Sequence, residues 1–140
     1  MKLAFFTGIV LLFIMAVVAS CQSEDQVEFS RYYSGGSVIY LAHCQNCHGE
    51  KGEGLQSLIP PLTDSVFLKT NRSSLACYLK NGLKGKLTVA GREFEGEMPA
   101  VADLSPIEVA KVLTYITNSF GNKSGLINLQ QIEADLKNCK

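Results

Sequence analysis

The sequence predicts an all-α domain, because its clearest periodic segments repeat apolar residues at helical spacing and only one short stretch alternates like a strand. The chain has 140 residues, of which 46% are hydrophobic and 19% are charged, and its formal net charge is zero. This composition is typical of one globular domain. It argues against a disordered chain and against a nucleic-acid-binding protein that works through bulk positive charge.

The first 20 residues have the pattern of a bacterial export signal. Lys2 is followed by an uncharged apolar run from Leu3 to Val18 and then by Ala19-Ser20-Cys21. The run is shorter than the roughly 20 residues that a helix needs to cross a bilayer. Small residues before a cysteine resemble the lipobox, in which the signal is cut ahead of a cysteine that receives a diacylglycerol.

We therefore predict that residues 1–20 are a cleaved signal peptide and that Cys21 is lipidated. An ordinary cleavable signal and an uncut, short membrane anchor are the alternatives. In each case the domain is exported, and the lipoprotein would lie in the bacterial cell envelope, anchored to a membrane and facing the periplasm.

Residues 21–34 are predicted to form a lipid-anchored polar tether, because they are acidic at their start and precede Gly35-Gly36. Fully extended, the tether would span at most about 45 Å, so partners would lie close to the membrane. Residues 35–140 contain no repeat and no low-complexity stretch, and we expect them to form one folded domain.

Four helices are predicted in the folded part. The clearest begins at Ser105, where Ser105-Pro106-Ile107-Glu108 is a capping box with proline at the first helical position, and Gly121 can end it. The other three are predicted over residues 37–45, 71–81 and 128–138. In the first of these, Val38, Leu41 and Ala42 form one apolar side, which Ile39 and Tyr40 broaden.

A small β-hairpin is predicted between the helix over residues 71–81 and the helix that begins at Ser105. Leu87 to Phe94 alternates weakly around Gly91, which is typical of a hairpin rather than of a larger sheet. A chain this short with such long loops would have difficulty filling a core from side chains alone, so a large buried prosthetic group is expected.

The segment Cys44-Gln-Asn-Cys47-His48 has the pattern of covalent haem attachment. Two thiols three residues apart can reach the two vinyl groups of one porphyrin, and the next residue can place an imidazole nitrogen on the iron. A thioredoxin-like redox pair would give His48 no role, and a zinc site would need two further ligands. We therefore predict one covalently bound haem c with His48 as its proximal ligand.

Met98 is predicted by elimination to be the second axial ligand. After removal of the signal it is the only methionine, and His43, the only other histidine, directly precedes a haem cysteine and cannot reach the opposite face. A lone methionine is often a core gap-filler. Here Gly96 and Pro99 indicate that Met98 lies in a loop, as an axial ligand would.

Over about residues 34–121 the chain resembles class I cytochrome c. The resemblance rests on the haem motif, on Met98-Pro99 ahead of the helix that begins at Ser105, and on the residues between them, Gly49, Gly52, Gly54, Pro60, Pro61 and Leu62. It implies the cytochrome c fold, with four to five helices around one haem and, here, a small hairpin before the loop of the axial methionine. It also implies that Leu62 packs on the haem.

The same resemblance implies contacts that support the site. The carbonyl of Pro60 would accept a hydrogen bond from the second ring N–H of His48, which fixes the tautomer and raises the basicity of the ligand. Gly36 and Tyr40 would lie where the first helix closely approaches the helix that begins at Ser105, near Tyr115. That helix corresponds to the last helix of the family fold.

These residues favour electron transfer over catalysis, because a haem iron with both axial positions filled has no open site for a small-molecule substrate. The resemblance implies a one-electron carrier of a respiratory chain with a redox-protein donor and acceptor. The acceptor would be a terminal oxidase or reductase of the haem-copper oxidase or copper nitrite reductase type. The alternative is a haem peroxidase or gas-binding sensor, although no distal His or Arg pair suited to peroxide chemistry is apparent near Met98.

Two cysteines are left when lipid takes Cys21 and haem takes Cys44 and Cys47. Cys77 and Cys139 form an even pair in an oxidising compartment, so we predict a disulfide between them. The alternative is two separate buried thiols that behave as small apolar residues.

Charge is distributed unevenly despite the zero net charge. Six basic and no acidic residues lie from Lys69 to Arg92, and five acidic and no basic residues lie from Glu93 to Glu108. Such runs are often solvated faces. The alternative hypothesis is that Lys80, Lys84 and Lys86 lie near the haem crevice and steer the domain to an acidic partner.

Overall fold

The computed structural model of the protein describes residues 6–12 and 23–139. Residues 6–12 are helical and exposed. The elements that follow are α1 (Glu24–His43), α2 (Gln45–His48), α3 (Ser65–Thr70), a 3-10 turn (Arg72–Ser74), α4 (Leu75–Asn81), β1 (Leu83–Val89), β2 (Arg92–Met98), α5 (Pro106–Ile116) and α6 (Leu129–Lys137). The predicted helical fold with one small hairpin is confirmed. None of the described helices has both the length and the apolar character needed to cross a membrane.

The helices α1 and α5 cross at a glycine. A Cβ atom at Gly36 would lie 2.0 Å from the carbonyl oxygen of Lys111, so only glycine allows the two backbones to come this close. Tyrosine and phenylalanine rings fill the angle beside the crossing. The ring centroid of Tyr40 lies 5.3 Å from those of Tyr115 and of Phe120. The glycine and aromatic contact that the resemblance implied is therefore present.

The first helix begins at Glu24 and not at Ser37, so residues 24–34 of the predicted polar tether are helical. Aromatic packing explains the difference. The Phe29 ring stacks on Tyr33, and the Tyr33 ring lies 5.1 Å from that of Tyr115, centroid to centroid. These contacts bring apolar surface of the supposed tether onto the domain, which stabilises the helix.

The buried face of α1 also differs from the predicted one. Val38 and Leu41 are 65% and 59% exposed, whereas Gly36 and Tyr40 are buried and buried Cys44 follows at the same spacing of four residues. The hydrophobicity pattern selected the wrong side because the contact with α5 depends on a glycine, which carries no hydrophobic signal.

The predicted caps of α5 and α6 are confirmed. At the start of α5 the backbone N–H of Ser105 donates to Glu108 Oε2 at 2.9 Å, and Pro106 occupies the first turn. At the start of α6 Asn128 and Gln131 form the reciprocal pair of hydrogen bonds, at 3.0 and 3.1 Å. The core lies among α1, α4, α5 and α6, and its most deeply buried members include Ala76, Val109, Ala110, Val112, Ile127 and Ile132.

The predicted helix over residues 71–81 is divided into a 3-10 turn and α4, which ends at Gly82 as expected. The short helix α3 was not predicted. It is capped by Asp64, whose Oδ1 accepts hydrogen bonds from the backbone N–H groups of Val66 and Phe67 at 3.0 and 3.2 Å.

The carboxyl-terminal helix is joined to α4 covalently. The structure links Cys77 to Cys139 by a disulfide with a Cα to Cα distance of 5.4 Å. Ile132 inserts its side chain into the core from the same helix. The loop that the disulfide closes spans 62 residues, so chain entropy alone predicts about 4 kcal/mol of stabilisation.

Candidate haem site

A cavity opens between the end of α1 and the β-hairpin. It has two adjoining lobes, both partly open to solvent, with about 820 and 640 Å³ of empty space when their open mouths are included, and the second lobe reaches α4 and α5. The residues that line both lobes are Cys44, His48, Pro60, Leu83, Leu87 and Met98. Both predicted axial ligands therefore face one shared space.

The haem motif lies on the turn that joins α1 to α2. Cys44 follows the last residue of α1 and is buried, Cys47 is exposed, and His48 is 9% exposed at the end of α2. The His48 N–H donates to the Cys44 carbonyl at 2.9 Å, so one helical turn places the two thiols and the imidazole on the same side.

His48 is fixed by the hydrogen bond that the resemblance implied. Its Nδ1 lies 3.1 Å from the carbonyl oxygen of Pro60. A donating Nδ1–H leaves the lone pair of Nε2 free for a metal. Burial lowers the pKa of His48, and the hydrogen bond to Pro60 opposes that effect. The neutral imidazole, which is the form that ligates iron, is thereby favoured.

The loop that carries Pro60 folds back on the haem motif. The Gly54 N–H donates to the His48 carbonyl and the Leu62 N–H donates to the Gly52 carbonyl, both at 2.8 Å. Gly54 has a φ of 69°, and a Cβ there would lie 2.3 Å from the Ile59 carbonyl oxygen. Glycine is therefore required for the turn that presents Pro60 to His48.

Two further residues support this side of the cavity through contacts that were not predicted from the sequence. Tyr40 donates its hydroxyl hydrogen to the Gly49 carbonyl at 2.6 Å, directly after His48, and burial raises the pKa of this phenol. Asn122 Nδ2 donates to the Leu62 carbonyl at 2.7 Å. Asn122 is 60 residues from Leu62 in sequence, so no local pattern could have indicated it.

The opposite side of the cavity is the hairpin of β1 and β2. The strands pair antiparallel from Leu83 opposite Met98 to Val89 opposite Arg92. They are joined by Ala90 and Gly91, whose φ angles of 50° and 70° are typical of a type I′ turn.

The hairpin is longer than predicted, and Met98 is the last residue of β2 where a loop residue was expected. The local pattern around Gly96 and Pro99 was misleading because strand pairing continues to the end of the hairpin, with Gly96 opposite Gly85 and Met98 opposite Leu83. Met98 remains half-buried and faces the cavity.

Alternation divides the hairpin into two faces. Leu83, Leu87, Phe94 and Met98 line the cavity, together with Gly85 and Gly96. The alternate positions are exposed and charged or polar, and they are Lys84, Lys86, Thr88, Glu93, Glu95 and Glu97. One face of the hairpin thus lines the cavity and the other faces solvent, and Glu97 of the solvent face also borders the outer lobe.

The structure does not present the basic patch proposed from the sequence. Lys84 forms an ion pair with Glu97 at 2.9 Å, and Lys86 lies opposite Glu95. The ammonium group of Lys80 donates to the carbonyls of Ala102 and Leu104. Strand pairing folds the basic run onto the acidic run, so the outer face of the hairpin carries mixed charge.

The residues present fit a covalently bound haem. The cavity has predominantly apolar walls, both cysteines of the attachment motif lie at it, and one nitrogen and one sulfur donor reach it from separate elements. Leu62 lines the inner lobe, while His43 is exposed at the outer lobe. The fold and the site define a class I c-type cytochrome.

Comparison with known proteins gives the same assignment. Residues 33–119 match the cytochrome c family. The chain is 34% identical over 91 residues to cytochrome c-552 of Thermus thermophilus and, over the same length, to a second cytochrome c-552 from the same species. The match covers 62% of this chain, 69% of the first relative and 61% of the second. The chain belongs to the cytochrome c family, whose members carry covalently bound haem c and transfer electrons between redox proteins.

Proposed function

We propose that this cytochrome carries one electron at a time, through a haem c ligated by His48 and Met98, from a membrane quinol-oxidising complex to a terminal oxidase or reductase. An acceptor of the haem-copper oxidase or copper nitrite reductase type suits such a carrier. The observation that supports the proposal is that both donors line one cavity from separate elements.

When bound, haem c held by His48 and Met98 would supply one-electron exchange and would leave no coordination position for a substrate. The chain contributes by fixing the donors and excluding water. Pro60 orients His48, and strand pairing with Leu83 orients Met98. Apolar residues of α4 and α5, such as Leu79 and Leu113, line the inner lobe and keep it dry.

The ligand set can be tested with carbon monoxide and the variant Met98→Ala. We expect the wild-type ferrous protein to exclude the gas. Met98→Ala should keep its covalent haem, bind carbon monoxide and have a lower reduction potential, because a soft thioether favours ferrous iron. Leu87→Ala is the matched control, since Leu87 lines the same cavity without being a ligand. Ready binding of the gas by the wild type would contradict the carrier function and favour the gas-binding or peroxidase alternative.

We also propose that residues 1–20 are removed and that Cys21 is lipidated, which would hold the domain on a bacterial membrane facing the periplasm. The support is the sequence pattern, because Cys21 and the predicted cleavage site lie outside the described residues. Only Gln22 and Ser23 separate Cys21 from the start of α1.

Mass spectrometry of protein from the membrane fraction tests the lipid anchor. The wild type should begin at Cys21 and carry acyl chains, whereas Cys21→Ala should carry none and should not be processed as a lipoprotein. Ser23→Ala is the control and should be processed normally. Recovery of unmodified wild type with an intact amino-terminal signal would contradict the proposal.

A further inference from the structure

Two glycines face each other in the middle of the hairpin, on its cavity face. Gly85 pairs with Gly96 in the strand register, and both line the outer lobe of the cavity. The neighbouring pairs on this face carry large apolar side chains, Leu83 with Met98 on one side and Leu87 with Phe94 on the other. The glycine pair is therefore a gap in an otherwise filled wall.

The protein itself gives no steric reason for the gap. A Cβ at Gly96 would meet only the Leu58 carbonyl oxygen, at the ordinary contact distance of 3.7 Å, and a Cβ at Gly85 would meet nothing within 4 Å. Gly82 provides the contrast, because a Cβ there would lie 2.5 Å from the Met98 carbonyl oxygen.

The backbone separates the two members of the pair. Gly85 has a φ of 94°, which favours glycine for conformational reasons, whereas Gly96 is outside the left-handed region. Glycine within a strand weakens the strand and often marks close approach of a ligand or another backbone. No backbone lies close enough to require glycine at position 96. Close approach of a bound ligand is then the remaining explanation for this glycine.

We propose that Gly96, with Gly85 opposite it, keeps free the part of the cavity beside Met98 that bound haem would occupy. Gly96 is then a cofactor-contacting residue. The inference rests on the ligand set proposed above. A side chain at position 96 would project from the same face of β2 as Met98, two residues away, and would take space from the porphyrin.

The test is a size series in the full-length haem protein, Gly96→Ala and Gly96→Val, with Glu95→Val as the matched control on the outer face of the same strand. Covalent haem is measured by mass spectrometry, methionine ligation by the charge-transfer absorption of the ferric protein, and thermal stability by far-ultraviolet circular dichroism. The two possible roles of Gly96, an empty gap or clearance for haem, predict changes in thermal stability of opposite sign. An empty gap would make both substitutions stabilising, because valine suits a strand better than glycine.

Clearance for haem predicts that Gly96→Val keeps its covalent haem, loses the methionine band, gains carbon monoxide binding and melts at a lower temperature, with Gly96→Ala intermediate and Glu95→Val like the wild type. Retention of the band together with a raised melting temperature in Gly96→Val would overturn the inference. If the wild type itself lacks the band, the proposed ligand set fails, and the sign of the stability change in Gly96→Val still decides the role of Gly96.

Discussion

The two sides of the haem cavity are built in different ways. The proximal side, residues 44–62, is one continuous stretch in which His48 and Pro60 are only 12 residues apart. Its backbone closes on itself through the hydrogen bonds of Gly54 to His48 and of Leu62 to Gly52. Most contacts that fix His48 are therefore local.

The distal side is a hairpin that reaches the rest of the protein at its two ends. At its tip the Ala90 N–H donates to Asp64 Oδ2 at 2.7 Å. Beyond its base the Val101 N–H donates to the Leu79 carbonyl at 2.8 Å. Besides the buried side chains of Val89 and Phe94, these separate hydrogen bonds hold the strand that carries Met98, and we expect Met98 to be displaced from the cavity more easily than His48.

The largest effect is expected when the proximal loop is broken. In Gly54→Ala the new Cβ would overlap the Ile59 carbonyl oxygen and crowd Pro60, as well as straining the backbone at a φ of 69°. We expect the free energy of unfolding to fall by about 3 kcal/mol. Denaturant unfolding of the haem protein measures the loss.

Gly121→Ala separates the clash from the backbone strain. Gly121 has a φ of 88°, but a Cβ there would meet nothing within 4 Å. The substitution should cost only the strain, about 1 kcal/mol. Equal losses in the two variants would mean that the turn around Pro60 is not under steric control.

A smaller effect is expected at the tip of the distal hairpin. Asp64→Asn keeps one oxygen to cap α3 but removes the acceptor for the Ala90 N–H. We expect a loss of about 1 kcal/mol and faster hydrogen exchange of hairpin amides such as Thr88. As the control, Asp103→Asn removes the same charge from an exposed position and should leave hydrogen exchange in the hairpin unchanged. Slowed or unaltered exchange in Asp64→Asn would show that Asp64 does not hold the hairpin.

The same carboxylate makes part of this effect dependent on pH. Hydrogen bonds, first from the Ala90 N–H, hold the pKa of Asp64 below its ordinary value. A lowered folded-state pKa means that the stabilisation is present above about pH 4 and is lost as the pH falls through the folded-state pKa. The difference in unfolding midpoint between wild type and Asp64→Asn should therefore narrow in acid, and a constant difference would contradict this mechanism.

The smallest effect is expected on the outer face of the hairpin. Lys84 and Glu97 form an ion pair, but their side chains are 79% and 60% exposed. A double-mutant cycle with alanine should give a coupling of about 0.5 kcal/mol or less that declines with added salt. Thr88 and Glu93, an uncharged and charged pair on the same face, provide the reference cycle. A larger coupling would mean that the outer face also helps to hold Met98.

The parts of the fold that sequence predicted correctly are those encoded by neighbouring residues. The caps at Ser105 and Asn128 and the attachment motif around His48 each lie within five consecutive residues. The turn at Gly91 is another local signal, and it predicted the hairpin although not its full length.

The parts that sequence did not predict depend on contacts between distant residues. The early start of α1 depends on Tyr33, whose hydroxyl is hydrogen-bonded to Ser119 Oγ, 86 residues away. The position of Met98 in a strand depends on pairing with Leu83. The hydrogen bond from Ala90 to Asp64 and the one from Asn122 to Leu62 likewise join residues that are far apart in sequence.

The continuous helix α1 connects the amino-terminal segment to the haem motif with a fixed length and a fixed rotation about its axis. Its 20 residues run without interruption from Glu24 to His43, directly before the first haem cysteine. Such a helix is about 30 Å long. In the lipidated protein proposed above, this helix would therefore decide on which side of its axis, relative to the haem motif, the lipid anchor lies. One residue inserted early in α1 would turn the anchor about the helix axis by about 100°, and four would almost restore its side.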